Sequence, residues 1–468
     1  MTQTTAPRSL WQGGAPAPAK HVRRASNSLR QPALMAFFAF EVICLTVLQK
    51  FAFPVNLGGA GGPVQVALPL TYAALFVLLF FVKFSVDRQR VVLLTGALIF
   101  AFVTIAMVPG TYSTNSVMLM VLIYLPFILY IEVSEATYHK LIKIYLNAMI
   151  IFGAIAMLEQ VAQLIWSWEV WPNLDYIIPS NFQMEGFVYI QPFQYGSHFM
   201  KPNGIFFLEV SYLSQWTAIA LALELVYFRR TWRMSFYAVV LLSCLAGTGL
   251  LLLLVCAPVL LSRVSKRSLA VVGVVFLVCV ITAISINWVQ NVQHRFTEVE
   301  HYNSSANHRF VVPFEVLANF AQHPESILIG EGPGNGAKEK GDMWWAFTKV
   351  AYEYGFIDAI MFTIFLCFVL FKKAPSARIA FLLIIFFNFM GGFIIPVYPF
   401  LIWLLGGLFR IRGSTSEKDG PERRRRGSGG GDGGSGSTSG GEKGMRGWLP
   451  QLGSTSSGRP GRSSPSAR

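Results

Sequence analysis

The chain has 468 residues, of which 53% are hydrophobic and 13% charged, and this balance excludes an ordinary soluble domain because so much apolar surface needs lipid to cover it. The formal net charge of +14 does not indicate a nucleic-acid partner, since the basic residues lie in the two ends and in short connections between apolar segments. The five cysteines fall within apolar segments, so no disulfide framework is expected. The composition predicts an all-α polytopic membrane protein.

In chain order, residues 1–31 are basic and are predicted to form a disordered cytoplasmic N-terminus. Residues 32–411 form the predicted transmembrane domain, and residues 412–468 are a Gly-, Ser- and Arg-rich tail predicted to be disordered and cytoplasmic. A membrane span needs about 20 apolar residues. Candidate spans lie near 33–52, 66–84, 91–108, 117–133, 144–165, 205–228, 268–288 and 346–371.

Two further apolar segments are flanked by basic residues on both sides, so each is predicted to cross the membrane twice. Residues 234–261 turn at 246–249, and residues 379–408 turn at 391–396, where glycines interrupt the apolar run. The arms of these hairpins are short, and each hairpin is either re-entrant or fully spanning. The total is then about twelve crossings.

With both termini in the cytoplasm, every basic connection falls on the inner side, as the positive-inside rule requires. These connections are 83–90, 229–233, 262–267 and 372–378. Two long loops, 166–203 and 289–345, then lie on the outer side of the membrane.

A glycine-rich stretch in the second outer loop, "HPESILIGEGPGNG" at residues 323–336, at first suggests a phosphate-binding loop. Such a loop needs Lys-Ser or Lys-Thr after its last glycine, whereas Gly336 is followed by Ala337 and Lys338. Two interpretations remain: a turn that only reverses the chain, and a bend whose backbone amides approach a ligand. The preceding residues 309–324 have apolar side chains at helical spacing and predict an amphipathic helix.

The order of residues from His308 to Asp358 resembles the signature of the O-antigen ligase and polymerase-like membrane glycosyltransferases. In that family an outer-loop arginine is followed by a helix, a glycine bend and an "EyG" that opens the next span. A second stretch, "KPNGIFFLEVSYLSQ" at residues 201–215, is similar to an element of the exopolysaccharide polymerases of this family. Lys201 replaces the arginine expected there, and Val210 replaces a proline.

The resemblance implies transfer of a glycan from undecaprenyl diphosphate to a sugar hydroxyl of another lipid-linked glycan, on the periplasmic face of a bacterial inner membrane. The enzyme must hold two phosphates and deprotonate an alcohol. The candidate residues in the outer loops are the cations Lys201, Arg295, Arg309 and Lys338, with His308 beside Arg309, and the bend residues Gly332, Gly334 and Asn335. Each cation is otherwise a solvated loop charge or a headgroup anchor.

Glu209 is the candidate general base, predicted to lie one or two turns inside the sixth helix. Glu353 has a similar predicted depth and is a candidate substrate-binding residue, although Lys349, four residues before it, is a possible ion-pair partner. Glu159 and Asp358 are predicted to make structural interhelical hydrogen bonds.

No metal or other cofactor is expected, because the short outer loops 54–65 and 109–116 contain no carboxylate to bind one. The mechanism is therefore predicted to be metal-independent and to rely on arginine and lysine. The outer aromatic residues either stack on sugars or form an interfacial belt.

Within the family, the absence of histidine from residues 341–355 and the presence of Glu209 and Ser211 favour a repeat-unit polymerase. An O-antigen ligase that uses His308 or His323 is the first alternative, and a carrier or flippase for lipid-linked glycans is the second. The expected partners are the lipid-linked substrates and membrane lipids. A chain-length regulator and other polysaccharide export proteins are further candidates.

Overall fold

The computed structural model describes residues 20–56, 63–108, 112–184, 187, 189–193, 198–262, 273, 307, 311–322, 324–335, 345–390 and 392–412. Most of these residues are helical, in agreement with the predicted all-α class, and all belong to one compact unit, Met1–Ser416. Residues 1–19 and 413–468, and nearly all of the apolar segment 268–288, lie outside the described residues.

The helices of the described residues are α1 (Lys20–Cys44), α2 (Ala67–Leu79), α3 (Arg88–Met107), α4 (Thr114–Tyr124), α5 (Glu135–Ile165), α6 (Val210–Leu223), α7 (Thr231–Ser243), α8 (Gly247–Leu261), α9 (Val312–Gln322), α10 (Pro324–Ile329), α11 (Ala346–Tyr354), α12 (Phe356–Phe371), α13 (Ala377–Met390) and α14 (Val397–Ile402). One π-helical turn follows α6 at Glu224–Phe228, and another follows α14 at Trp403–Gly407. Helix α6 is buried on almost every side and packs against α5, α7, α8 and α13. It therefore lies at the centre of the helix bundle.

The first helix differs from the prediction at both ends. It begins at Lys20, within the segment 1–31 that the sequence predicted to be disordered, and residues 20–31 contain no glycine and no proline to stop a helix. It ends at Cys44, before the predicted limit at residue 52, and residues 45–50 form turns. The chain then enters a β-hairpin made of β1 (Ala52–Asn56) and β2 (Pro63–Gln65).

Two predicted spans are interrupted at residues that break helices. The segment 117–133 is helical only to Tyr124, because Pro126 begins a 3₁₀ turn that leads into strand β4 (Leu129–Val133). The segment 346–371 is divided between α11 and α12 at Gly355, whose φ of 92° is incompatible with a continuous helix. Both predicted hairpins are confirmed as breaks: α7 and α8 meet at residues 244–246, and α13 and α14 at residues 392–396.

The predicted basic connections 83–90 and 372–378 lie beside a small three-stranded sheet. The sheet also includes the strand that follows α14 and its π-helical turn. Strand β4 pairs antiparallel with β3 (Ser85–Val86) and parallel with β5 (Phe409–Ile411). Helices α3 and α5 both begin beside this sheet, so we call this the sheet end of the bundle and the region beyond their C-terminal residues the loop end.

Arg90 and Asp87 join the elements of the sheet end. The guanidinium of Arg90 donates to the carbonyl oxygens of Phe127, Leu129, Val369 and Gly407 at 2.9 to 3.1 Å. Asp87 accepts from Arg410 and also pairs with Lys372 at 3.3 Å. Two of the four predicted basic connections, 83–90 and 372–378, therefore contact each other.

Two helices among the described residues, Arg88–Met107 and Glu135–Ile165, are long and apolar enough to cross a membrane. The other apolar helices in this part of the chain, among them Ala67–Leu79 and Phe356–Phe371, are shorter. Many large apolar side chains nevertheless point outward, including Phe76, Phe80 and Phe102.

Candidate functional site

The segment that contains Lys201 is held at the loop end by three polar side chains of α5. Glu159 Oε2 accepts from the backbone N–H of Gly204 at 3.0 Å, and Gln163 Oε1 accepts from that of Met200 at 2.8 Å. Gln160 Nε2 donates to the carbonyl oxygen of Met200 at 3.1 Å. Residues 159 and 163 lie on one helix face because they are four positions apart. Glu159 was predicted to make an interhelical hydrogen bond, but the bond it makes here joins α5 to the backbone of Gly204 in the loop.

Gly204 and Ile205 explain the shape of this segment and the position of Glu209. Both have left-handed backbone conformations, with φ of 61° and 69°. Consecutive left-handed residues do not belong to a right-handed helix, so α6 starts only at Val210. The prediction that Glu209 lies one or two turns inside the helix is wrong, because Glu209 is the residue that precedes its first turn.

Glu209 is nevertheless buried, with 8% of its surface exposed, at the point where α6 enters the bundle. Ser211 Oγ donates a hydrogen bond to Glu209 Oε2 at 3.0 Å. The preceding residue, Leu208, donates its N–H to Gln49 Oε1 at 3.3 Å, which fixes the chain against the end of α1. A carboxylate at a helix N-terminus is stabilised by the positive end of the helix dipole.

Lys50 is a buried cation that the sequence reasoning missed. Its side chain is fully buried, and Nζ lies 3.0 Å from Asp175 Oδ1 and 5.2 Å from the centre of the Tyr189 ring. The predicted span 33–52 includes this lysine, and the sequence pattern assigned it no role. A lone lysine between an apolar segment and the first outer loop was the only signal for it.

Lys201 lies in a polar cleft, which we call the lysine cleft. Its lining combines Lys201 with polar and aromatic side chains of α5 and of the segment 168–203 that follows it, chiefly Glu159, Gln163, Trp168, Trp171 and Tyr189. Lys201 itself is 7% exposed. The enclosed space is about 20 Å³, enough for one water molecule or one hydroxyl group.

The glycine bend closes the C-terminal end of α11. The backbone N–H of Glu331 donates to the carbonyl oxygen of Tyr352 at 2.7 Å, and that of Gly332 donates to Glu353 at 3.1 Å. Helix C-termini leave carbonyl groups without intrahelical partners, and these two amides satisfy them. The two amides are therefore used within the protein, which favours the structural interpretation for this part of the bend.

Glycine is required in the bend for conformation and for space. Gly330, Gly332 and Gly334 have φ of 71°, 95° and 80°, values that other residues rarely adopt. A Cβ atom on Gly330 would lie 2.6 Å from the backbone nitrogen of Gly355. Asn335 secures the bend by donating from Nδ2 to the carbonyl oxygen of Glu331 at 2.7 Å.

Glu353 lies beside the bend and is fully buried on α11. Lys349 Nζ is 3.7 Å from Glu353 Oε1, which confirms the ion pair that was weighed as the alternative to substrate binding. Asp358, at the start of α12, is also buried, and its Oδ1 atom has no hydrogen-bond partner among the described residues. That atom does not make the predicted interhelical bond.

The amphipathic helix predicted at residues 309–324 is present as α9, but a different face is buried. Val312 and Val316 pack against Tyr352, whereas Phe314, which belongs to the apolar residues at helical spacing, is 58% exposed and contacts Trp345. The helix therefore packs on α11.

The structure thus brings the predicted residues into two groups. Lys201 belongs to the lysine cleft, while Gly332, Gly334, Asn335 and Glu353 belong to the glycine bend. Arg295, His308, Arg309 and Lys338 lie outside the described residues. In the part of the chain that the structure describes, no group of three or more His, Cys, Asp or Glu residues is arranged to hold a metal ion.

Comparison with known proteins identifies no relative: no family model, no curated protein and no solved structure matches the chain.

Proposed function

We propose that the chain is a polytopic glycosyltransferase of the bacterial inner membrane that joins undecaprenyl-diphosphate-linked oligosaccharide repeat units into a polysaccharide. The observation that carries this proposal is the buried polar material at the loop end, where Lys201 and Glu209 lie eight residues apart around the start of the central helix. Such groups are costly to bury and accumulate where a protein binds or transforms a charged substrate.

Exposed apolar side chains support a membrane location. Along α2, α3 and α5 the outward positions are occupied by large apolar residues, such as Val77, Ile99 and Leu158, each more than half exposed. A soluble monomer rarely exposes so much continuous apolar surface. Lipid is the partner that covers helices of this composition on all sides.

The proposed reaction assigns separate roles to the residues of the loop end. The carboxylate of Glu209 takes the proton from the acceptor hydroxyl, whose oxygen forms a new bond to the anomeric carbon of the donor sugar. The bond between that carbon and the phosphate oxygen breaks, and undecaprenyl diphosphate leaves. Lys201 stabilises the negative charge on the diphosphate, and Ser211 orients the carboxylate of Glu209.

Arg309, Arg295, His308 and Lys338 are proposed to complete the binding of the diphosphate. Guanidinium groups suit this role because they bind phosphate through two parallel hydrogen bonds. Glu353 is assigned to the support of the glycine bend, since Lys349 already pairs with it.

The experiment is to delete the gene in its host and complement it with wild-type or altered chains. The size of the surface glycan is then measured. Loss of long chains with single repeat units still attached supports a polymerase. Long chains that stay on undecaprenyl diphosphate support a ligase, and an unchanged size distribution contradicts both activities.

Two variants sharpen this test. Arg309→Ala and Glu209→Gln are both expected to leave only single repeat units, because each removes a group that acts on the reacting atoms. Glu132→Gln, at an exposed position on β4, is the matched control and is expected to restore long chains.

A carrier is distinguished by transport without elongation. In liposomes, a carrier moves labelled lipid-linked glycan across the membrane and leaves its length unchanged. The proposed polymerase lengthens it.

A further inference from the structure

We propose that Trp168 and Trp171, which line the lysine cleft, form a subsite that binds one sugar ring of the glycan. This inference rests on the proposed function, which supplies a glycan substrate on this face of the protein. It adds a binding site and the chemical class of its ligand, a sugar ring that carries hydroxyl groups.

The backbone places the two tryptophans on the same side. Trp168 begins a 3₁₀ turn, Trp168–Val170, and the N–H of Trp171 donates to the carbonyl oxygen of Trp168 at 3.2 Å. Residues three positions apart in a 3₁₀ helix are eclipsed. Both indole rings are half-buried, so part of each remains accessible.

The tryptophan segment is fixed at both ends. The 3₁₀ turn follows α5 directly, and Ser167 caps it by accepting from the N–H of Glu169 at 3.2 Å. Beyond Trp171, Asn173 accepts from the N–H of Asp175 at 3.1 Å, and Asp175 pairs with the buried Lys50. A stacking surface that is held in place before binding loses little conformational entropy when the ligand arrives.

The polar groups of the cleft suit the hydroxyl groups of a sugar. Glu159 and Gln163 line the cleft beside Lys201, and together they supply a carboxylate, a carboxamide and an ammonium group. The indole Nε1 of Trp171 is buried without a hydrogen-bond partner among the described residues. One inserted hydroxyl group would satisfy such an atom.

The small volume of the cleft determines how the sugar binds. A space of about 20 Å³ holds one hydroxyl group but not a six-membered ring. The ring therefore lies across the mouth against the two indoles, and one of its hydroxyl groups enters the cleft. Aromatic rings provide the flat apolar face that the C–H side of a sugar covers.

An interfacial aromatic belt is the competing role for these residues. Belt tryptophans need lipid on one side and water on the other, and they do not need a carboxylate, a carboxamide and a lysine around them. Trp166, which is 68% exposed and does not line the cleft, fits the belt better. It provides a matched control on the same segment.

The test measures binding of an oligosaccharide that lacks lipid and diphosphate. Repeat-unit oligosaccharide is released by mild acid from the surface glycan of the host and titrated calorimetrically into the purified full-length chain in detergent. Trp168→Ala and Trp171→Ala are each expected to weaken binding at least tenfold. Trp171→Phe is expected to restore only part of it, because phenylalanine keeps the stacking face and lacks the N–H group, and Trp166→Ala is expected to change binding less than twofold.

Thermal unfolding of each variant identifies effects on the fold. Unchanged affinity in both cleft variants overturns the subsite. If the two cleft variants lose stability or lipid association but keep their affinity for the oligosaccharide, the subsite is also overturned. That result assigns the two tryptophans to the interfacial belt.

The failure of the subsite and the failure of the proposed function have different signatures. Elongation with unchanged affinity in the tryptophan variants contradicts the subsite and leaves the polymerase. Tryptophan-dependent binding with no elongation by the wild-type chain contradicts the polymerase and supports the saccharide site.

Discussion

The two ends of the helix bundle use their charged residues differently. At the sheet end, Arg90 makes four hydrogen bonds to backbone carbonyls, and Asp87 is surrounded by Arg410 and Lys372. At the loop end, Glu159 and Gln163 each hold the backbone of one loop residue and also line an accessible cleft. The comparison indicates that the charged side chains of the sheet end are used in contacts within the fold, whereas polar side chains of the loop end also line a cleft.

The largest effect is expected from Arg90→Met. The substitution leaves the carbonyl oxygens of Phe127, Leu129, Val369 and Gly407 without their donor and removes a link between four elements. Loss of such a buried network costs about 4 kcal/mol of unfolding free energy. The measurement is chemical unfolding in detergent. Arg88→Met, at an exposed neighbouring position, is the control, and equal stability of the two variants would contradict the role assigned to Arg90.

The next largest effect is expected from Gly355→Ala. A Cβ atom there would overlap the carbonyl oxygen of Leu328, and the φ of 92° disfavours any side chain. The expected loss is about 3 kcal/mol, because backbone strain and overlap add. Gly247→Ala is the matched control. It meets no atom within 4 Å and lies in a helix, so it should be neutral or slightly stabilising. A Gly355→Ala chain as stable as wild type would show that the glycine bend does not pack on this junction.

A smaller effect at the sheet end is expected from pH. Burial raises the pKa of the Asp87 carboxyl. This effect is outweighed by the hydrogen bond and positive charge of Arg410, the hydrogen bond from the Gln89 N–H and the hydrogen bond from Lys372, which together lower the pKa to about 2. Because the folded-state pKa is below the unfolded value of 3.8, the stabilisation is complete above about pH 4 and is lost as the pH falls towards 2.

At pH 7 this carboxylate contributes about 2 kcal/mol. The stability difference between wild type and Asp87→Asn should therefore be largest at neutral pH and should narrow between pH 4 and pH 2. Unfolding curves collected across this range test the prediction, and a constant difference would contradict it.

The smallest effect is expected from Gln160→Leu at the loop end. Gln160 makes a single described hydrogen bond, to the carbonyl oxygen of Met200, and the substitution should cost about 1 kcal/mol. Glycan elongation should persist, because Gln160 does not line the lysine cleft. If Gln160→Leu lost as much unfolding free energy as Arg90→Met, the two ends of the bundle would not differ in how much their polar side chains stabilise the fold.

The breaks of the helical hairpins were predictable because they depend on local chemistry. Glycines within residues 246–249 and 391–396 interrupt apolar runs between basic clusters. The second break occurs at 392–396 as predicted, and the first occurs at 244–246, just before Gly247 begins α8. The ion pair of Lys349 with Glu353 was also predictable, since residues four positions apart share a helix face.

Features that depend on distant contacts were not predictable from the local sequence. Lys50 pairs with Asp175, 125 positions away, and the end of α1 is fixed by that partner and by a β-hairpin. The start of α6 depends on left-handed residues at 204 and 205, and Ile205 gives no local signal for such a conformation. The apolar spacing of α9 did not reveal which of its apolar residues are buried, because tertiary packing on α11 buries Val312 and Val316 and leaves Phe314 exposed.

The most direct test of the central claim is elongation by the purified chain in proteoliposomes that contain only an undecaprenyl-diphosphate-linked repeat unit. The account predicts a ladder of longer lipid-linked glycans with wild-type chain and at least a 100-fold slower ladder with Glu209→Gln, because a general base contributes about 10²–10⁴ to the rate. Glu132→Gln should elongate at the wild-type rate. No ladder with the wild-type chain, or an unchanged rate with Glu209→Gln, would contradict the account.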